Sequence, residues 1–268
     1  MSQMSGAIGV FDSGFGGLHV LRGIIRELPD YDYIYLGDSA RAPYGPRTHE
    51  EILEFTKEGI DFLFAHGAAM VILACNTASS EALRQIQQTD TRKVLGVLIP
   101  FAEAAAEASR TKRFGVLATE ATVRSGAYKR EITKLVPNAF VYEQSCPELV
   151  PLVEAGEEDT ARARALVTEY LREPLQQNID TLVLGCTHYG ILEPIIREVA
   201  GPSVTIVTES DAVPSRLKEY LVQHPEIEKT LSWGGNREFY TTGSVETFNK
   251  FGSRFFGADI SAQLAMLP

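Results

Sequence analysis

Two cysteines, Cys75 and Cys186, stand 111 positions apart, and each ends an apolar run: "MVILAC" before the first and "TLVLGC" before the second. A polar pair follows each, Asn76 and Thr77 after one, Thr187 and His188 after the other. A thiol placed where a buried strand opens onto a loop lies at the strand's carboxyl end, where open α/β sheets bind their ligands. If two related halves face one another across a cleft, thiols at matching strand ends oppose each other. That arrangement suits removal of a proton from one face of a carbon and its return to the other, each sulfur being base in one direction and acid in the reverse. A free thiol titrates near ~8.5, so both protonation states are within reach of neutrality.

Three plainer readings compete. A lone buried Cys usually does no more than pack, but packing would have to explain the coincidence twice. A disulfide needs Cα atoms within roughly 7 Å, too close for sulfurs that flank a substrate carbon, and there is no CxxC. Zinc held by Cys75, Cys186, His188 and Cys146 lacks the closely spaced ligand pairs of structural zinc sites, Cys186 with His188 being the one close pair. No metal is expected, and Cys146 reads as packing beside the helix of Glu154.

Other candidate groups sit in loops. "DSGFGG", from Asp12 to Gly17, has neither the GxGxxG spacing, since His19 stands at the last glycine, nor the GK[ST] of a phosphate loop. Asp12 either caps the following helix or faces the cleft, where it could hold an ammonium or orient Cys75. Ser13 could hydrogen-bond a carboxylate beside the exposed amides of that helix start. Pro43, Tyr44 and Gly45 form a turn after Asp38, whose amides would reach the cleft mouth; on these residues alone a plain turn is the preferred reading. Asn76, Thr77, Thr187 and His188 supply donors for carboxylate oxygens or a developing enolate. A histidine alone is more often structural, so His188 gains weight only from its neighbours.

The elements that must position these groups alternate. Continuous apolar runs, "AIGVF", "YIYLG", "MVILA", "VLGVL", "FGVLA", "FVYEQ", "TLVLG" and "VTIVT", read as strands covered on both faces. Amphipathic helices lie between them. One carries Leu18, Leu21, Ile24, Ile25 and Leu28 and stops at Pro29, and another opens on a Thr48–Glu51 capping box and closes at Gly67. Such alternation predicts parallel sheets with right-handed crossovers. "MVILACNTAS" echoes "TLVLGCTHYG", and "IGVFDSGFGG" echoes "FGVLATEATVRSG". The expected fold is α/β, with two similar parallel-sheet domains related by an approximate two-fold and the active site between them. Residues 1–97 with 210–268 would form the first, carrying Cys75, and 98–209 the second, carrying Cys186. The segment "SWGGNREFYTTG" reads as a hairpin or loop insertion.

At 268 residues, 44% hydrophobic and 22% charged, the composition is that of a globular chain. The net charge of -10, without a basic run, argues against a general nucleic-acid surface. No run approaches the roughly 20 apolar residues of a membrane span, and "MSQMSGAIGV" lacks the pattern of an export signal. A cytoplasmic location is expected.

Taken in order and spacing, "FDSGFGG", "LGDSARAPYG", "ACNTAS", "VLIP", "TEATVRSGAY", "CPELVPLVE" and "GCTHYG" resemble the glutamate racemases, a resemblance running from about residue 7 to about residue 200. It implies cofactor-independent, two-base interconversion of L- and D-glutamate, supplying D-glutamate for peptidoglycan and so for the cell wall. By the same resemblance Cys75 takes the proton from the D-isomer and Cys186 from the L-isomer, Asp12 assists near Cys75, and His188 and Glu154 assist near Cys186. Asp12, Ser13, Pro43, Tyr44, Gly45, Asn76, Thr77, Thr122, Thr187 and His188 match substrate contacts, and a homodimer is implied. The chain departs from the family pattern at Gly190, commonly Pro, and at Ala118–Thr119, often Gly-Thr. The rival functions are an aspartate or other acidic amino-acid racemase and a two-lobed binding protein without catalysis, which would have no use for a thiol on each wall.

Overall fold

The computed structural model describes residues 5–268. Its strands are β1 (Ala7–Asp12), β2 (Tyr33–Gly37), β3 (Ala68–Leu73), β4 (Val94–Gly96), β5 (Arg113–Ala118), β6 (Phe140–Ser145), β7 (Thr181–Gly185), β8 (Thr205–Val207), β9 (Arg237–Thr241) and β10 (Ala262–Leu264). They form two sheets, ordered β10-β9-β2-β1-β3-β4 and β6-β5-β7-β8, and every paired strand is parallel. All residues of β1, β2 and β7 are buried, as expected of strands with helices on both faces.

The order β2-β1-β3-β4 in one sheet repeats strand for strand as β6-β5-β7-β8 in the other. Cys75 follows β3 and Cys186 follows β7, so the thiols leave equivalent strands. In each sheet the chain steps from the first strand outward to the second and then back across to the third. The gap between first and third strand ends is thus a switch point, where a ligand crevice opens.

The helices follow their local signals. Helix Gly17–Glu27 turns Leu18, Val20, Leu21 and Ile24 inward and stops short of Pro29. Helix His49–Ala65 starts on the expected capping box, the Thr48 hydroxyl accepting from the Glu51 amide at 3.2 Å and the Glu51 carboxylate from the Thr48 amide at 2.9 Å. Gly67, just past its end, takes φ +93°, which favours glycine.

Two readings of the sequence are corrected. "VLGVL" is a strand only to Gly96, because Val97 caps the helix Leu98–Ala108 and the chain turns there. The segment 232–243 is no hairpin: its second half is β9, inserted in parallel between β2 and β10. A hairpin needs antiparallel neighbours, whereas β9 finds its outer partner 21 residues downstream, across the helix Val245–Phe256. Among the described residues no helix is long and apolar enough to cross a membrane.

Candidate active site

The carboxyl ends of β1, β3 and β7, with the turn after β2 and the residue after β5, close around a cavity of about 30 Å³. Cys75 and Cys186 both line it. So do Ser13, Pro43, Tyr44, Gly45, Asn76, Thr77, Glu154, Thr187 and His188, joined by Gly14, Ala42, Thr119 and Val150. Among the described residues no Lys or Arg lines this cavity, so an anion there would be held by hydroxyls, amides and His188.

Cys75 is the residue before the short helix Asn76–Glu81, and its sulfur accepts from the Ala78 amide at 3.5 Å while its thiol donates to the Ser13 hydroxyl at 3.4 Å. Burial, and after it the charge of Asp12, pushes this thiol up to about 11, against the pull of Ser13 and the Ala78 amide. Tyr44, buried, is fixed by donating to Asp38 at 2.5 Å. Asp38 also accepts from Thr242, after β9, at 2.7 Å.

Asp12 is fully buried beneath the cavity and is not part of its lining. One oxygen accepts from the Gly14 amide at 2.9 Å and the other from the Thr187 hydroxyl at 3.3 Å. Burial raises its pKa, opposed by His188, by the Gly14 and Gly17 amides and by Thr187. It therefore both shapes the loop after β1 and ties it to the residue after Cys186. The glycines of that loop serve close approach: a Cβ on Gly16 would lie 2.3 Å from the Thr187 hydroxyl and 2.9 Å from the His188 ring.

Cys186 has its sulfur 4.0 Å from His188 Nδ1. His188 Nε2 lies 3.2 Å from Glu154, on the helix Leu149–Glu154, and Phe255 packs edge-on to its ring at 5.4 Å. The thiol is raised well above its ordinary value by burial, with the His188 amide opposing and Glu209, Cys75 and Asp12 adding to the rise. Cys146 is fully buried, far above its ordinary pKa through burial, and does not line the cavity.

Thr122 also stands back from the cavity. It is fully buried and caught in a hydroxyl cluster, 3.1 Å from Thr119 and 3.4 Å from Thr77; Thr119, which caps that turn, takes the lining position and meets Thr77 at 2.9 Å. Sequence reasoning passed over Thr119 as a site residue, although it follows β5 as Ser13 follows β1. It also missed Glu209, buried two residues past the end of β8, for which the sequence carries no signal of its own. Gly190, the departure beside His188, has the His19 ring 3.1 Å from where a Cβ would stand.

The model of the Asp/Glu/hydantoin racemase family matches residues 8–212. A glutamate racemase from Carnobacterium sp. (strain St2) is 40% identical over 256 residues, 94% of this chain and 95% of that protein. The crystal structure of a Bacillus anthracis glutamate racemase superposes with TM-score 0.92 at 38% identity, covering 98% of both chains. That of Francisella tularensis glutamate racemase, in complex with D-glutamate, does so with TM-score 0.88 at 30% identity, again over 98% of both. A match of this extent, over the stretch that carries both thiols and the loops between them, makes this chain a member of the Asp/Glu/hydantoin racemase family.

Proposed function

We propose that the chain interconverts L- and D-glutamate without a cofactor, the substrate's α-carbon held between Cys75 and Cys186. The observation that carries this reading is that thiols from equivalent strands of two like-ordered sheets line one cavity. One sulfur, as thiolate, takes the α-proton; the bonding pair passes into the α-carboxylate as an enediolate; the opposite thiol then protonates the carbon from its own side. Cys75 is the base for the D-isomer and Cys186 for the L-isomer. His188, braced by Glu154, assists Cys186, and Asp12 assists at Cys75. The carboxylates are held by Ser13, Asn76, Thr77 and Thr187, with the Pro43–Tyr44–Gly45 turn closing the mouth. Hydroxyl and amide donors fixed in a dry site stabilise the developing charge, which supplies most of the rate.

The two lobes are residues 1–97 with 210–268, and 98–209. Two copies associate, and the enzyme works in the cytoplasm supplying D-glutamate for cell-wall synthesis.

Circular dichroism of each glutamate isomer, with α-proton exchange followed by NMR in heavy water, tests the scheme. Cys75→Ala and Cys186→Ala each lose racemisation by roughly 10²–10⁴-fold. Cys75→Ala still exchanges the α-proton of L-glutamate, and Cys186→Ala that of D-glutamate. Full turnover by either single variant would overturn the two-base mechanism, and turnover of aspartate in preference to glutamate would overturn the substrate.

A further inference from the structure

Asn76, next to Cys75, has both ends of its side-chain amide engaged by residues distant in the chain. Its oxygen accepts from the Tyr128 hydroxyl at 2.5 Å, and its nitrogen donates to Glu209. Tyr128 lies on the helix Ala127–Leu135, between β5 and β6, and Glu209 opens the helix Glu209–Gln223 after β8. Tyr128 is fully buried and Glu209 and Asn76 nearly so, at 4% and 2% exposure. With its oxygen held by a hydroxyl donor and one N–H by Glu209, Asn76 keeps a second N–H to offer the cleft, which suits a substrate carboxylate.

We propose that Glu209 is a positioning residue for the racemase reaction, clamping Asn76 so that its free N–H faces the substrate carboxylate; the substrate part of this inference rests on the function proposed above. A buried carboxyl accepting one amide hydrogen bond is inexpensive only when neutral. Burial first, and the nearby Asp12 second, raise the pKa of Glu209 well above its ordinary value, against the pull of Asn76. A neutral amide of the same shape should then serve in its place, whereas an apolar side chain of similar length should not.

Glu209→Gln should retain kcat/KM within about threefold, and Glu209→Met should raise KM about tenfold with kcat moved less, as for a lost binding hydrogen bond. In an Asn76→Ala background, adding Glu209→Met should change kcat/KM by under about twofold, because its partner is already gone. An activity-free readout accompanies these: in the empty protein, Asn76 side-chain amide protons should exchange slowly in wild type and Glu209→Gln and rapidly in Glu209→Met. Effects of Glu209→Met that multiply with Asn76→Ala, loss of activity in a folded Glu209→Gln, or unchanged amide exchange in Glu209→Met would each overturn the clamp. Absence of glutamate racemisation by the wild-type protein would instead remove the proposed function, with the exchange measurement still deciding whether Glu209 holds Asn76.

Discussion

Neither thiol is poised as a thiolate, burial raising both. With Cys75 at about 11, the ionised fraction near neutrality is on the order of 10⁻⁴, so in the proposed mechanism the charge must be stabilised when the substrate's ammonium arrives beside it. Burial is the larger cause of the rise, and Asp12 the second. Asp12→Asn leaves the burial and removes the negative charge. The thiolate then costs less to form, and the Cys75 titration should move downward in pH. Thiolate absorbance in the ultraviolet, followed in a Cys146→Ala, Cys186→Ala background, measures this; a titration that stays in place or moves upward would mean that Asp12 does not act on Cys75 through its charge. The twin thiols were legible in the sequence because each ends a strand whose apolar run is unmistakable. Glu209 and Thr119 were not, since a single polar residue near a strand end signals nothing until the fold supplies its partner.

At the scale of elements, the strands most legible in the sequence were those covered on both faces, such as β1, β3 and β7, where burial demands an unbroken apolar run. β9 was obscured because Arg237 and Glu238 at its start are partly or fully exposed, and because its neighbour β10 is distant in sequence. The capping box was legible because it is local; the packing behind it was not. Gly59, inside the helix His49–Ala65, shows the difference: propensity alone favours alanine there by about 1 kcal/mol, yet a Cβ would stand 2.2 Å from the ring of Phe11 in β1. Both neighbours are buried and cannot yield cheaply, so Gly59→Ala should destabilise the fold by a net ~1–3 kcal/mol. Thermal unfolding measures it, and a rise in midpoint would show that this helix rides on β1 more loosely than the contact implies.

At the scale of the whole molecule, the closed cleft buries acidic groups from different elements, Asp12 from β1 and Glu209 after β8, together with both thiols. Each of the two carboxyls is raised above its ordinary value, first by burial. The usual native carboxylate is stabilised by ionisation; a carboxyl raised by burial contributes its stability while it keeps the proton. For Glu209 the folded state stays protonated while the unfolded chain ionises above about 4.5, so unfolding releases a proton. The stability it contributes is complete below that pH and is lost as pH rises toward the folded value, by up to about 1.4 kcal/mol per pH unit. Glu209→Gln abolishes this release while leaving the Asp12 contribution in place. The thermal midpoint of the variant should therefore gain on that of wild type as pH is raised from about 5 to about 8, where the ordinary thiol, near ~8.5, is still largely protonated in either state. Midpoints that run parallel across that range would show Glu209 ionised in the closed protein, and its bond to Asn76 would then be that of a charged acceptor.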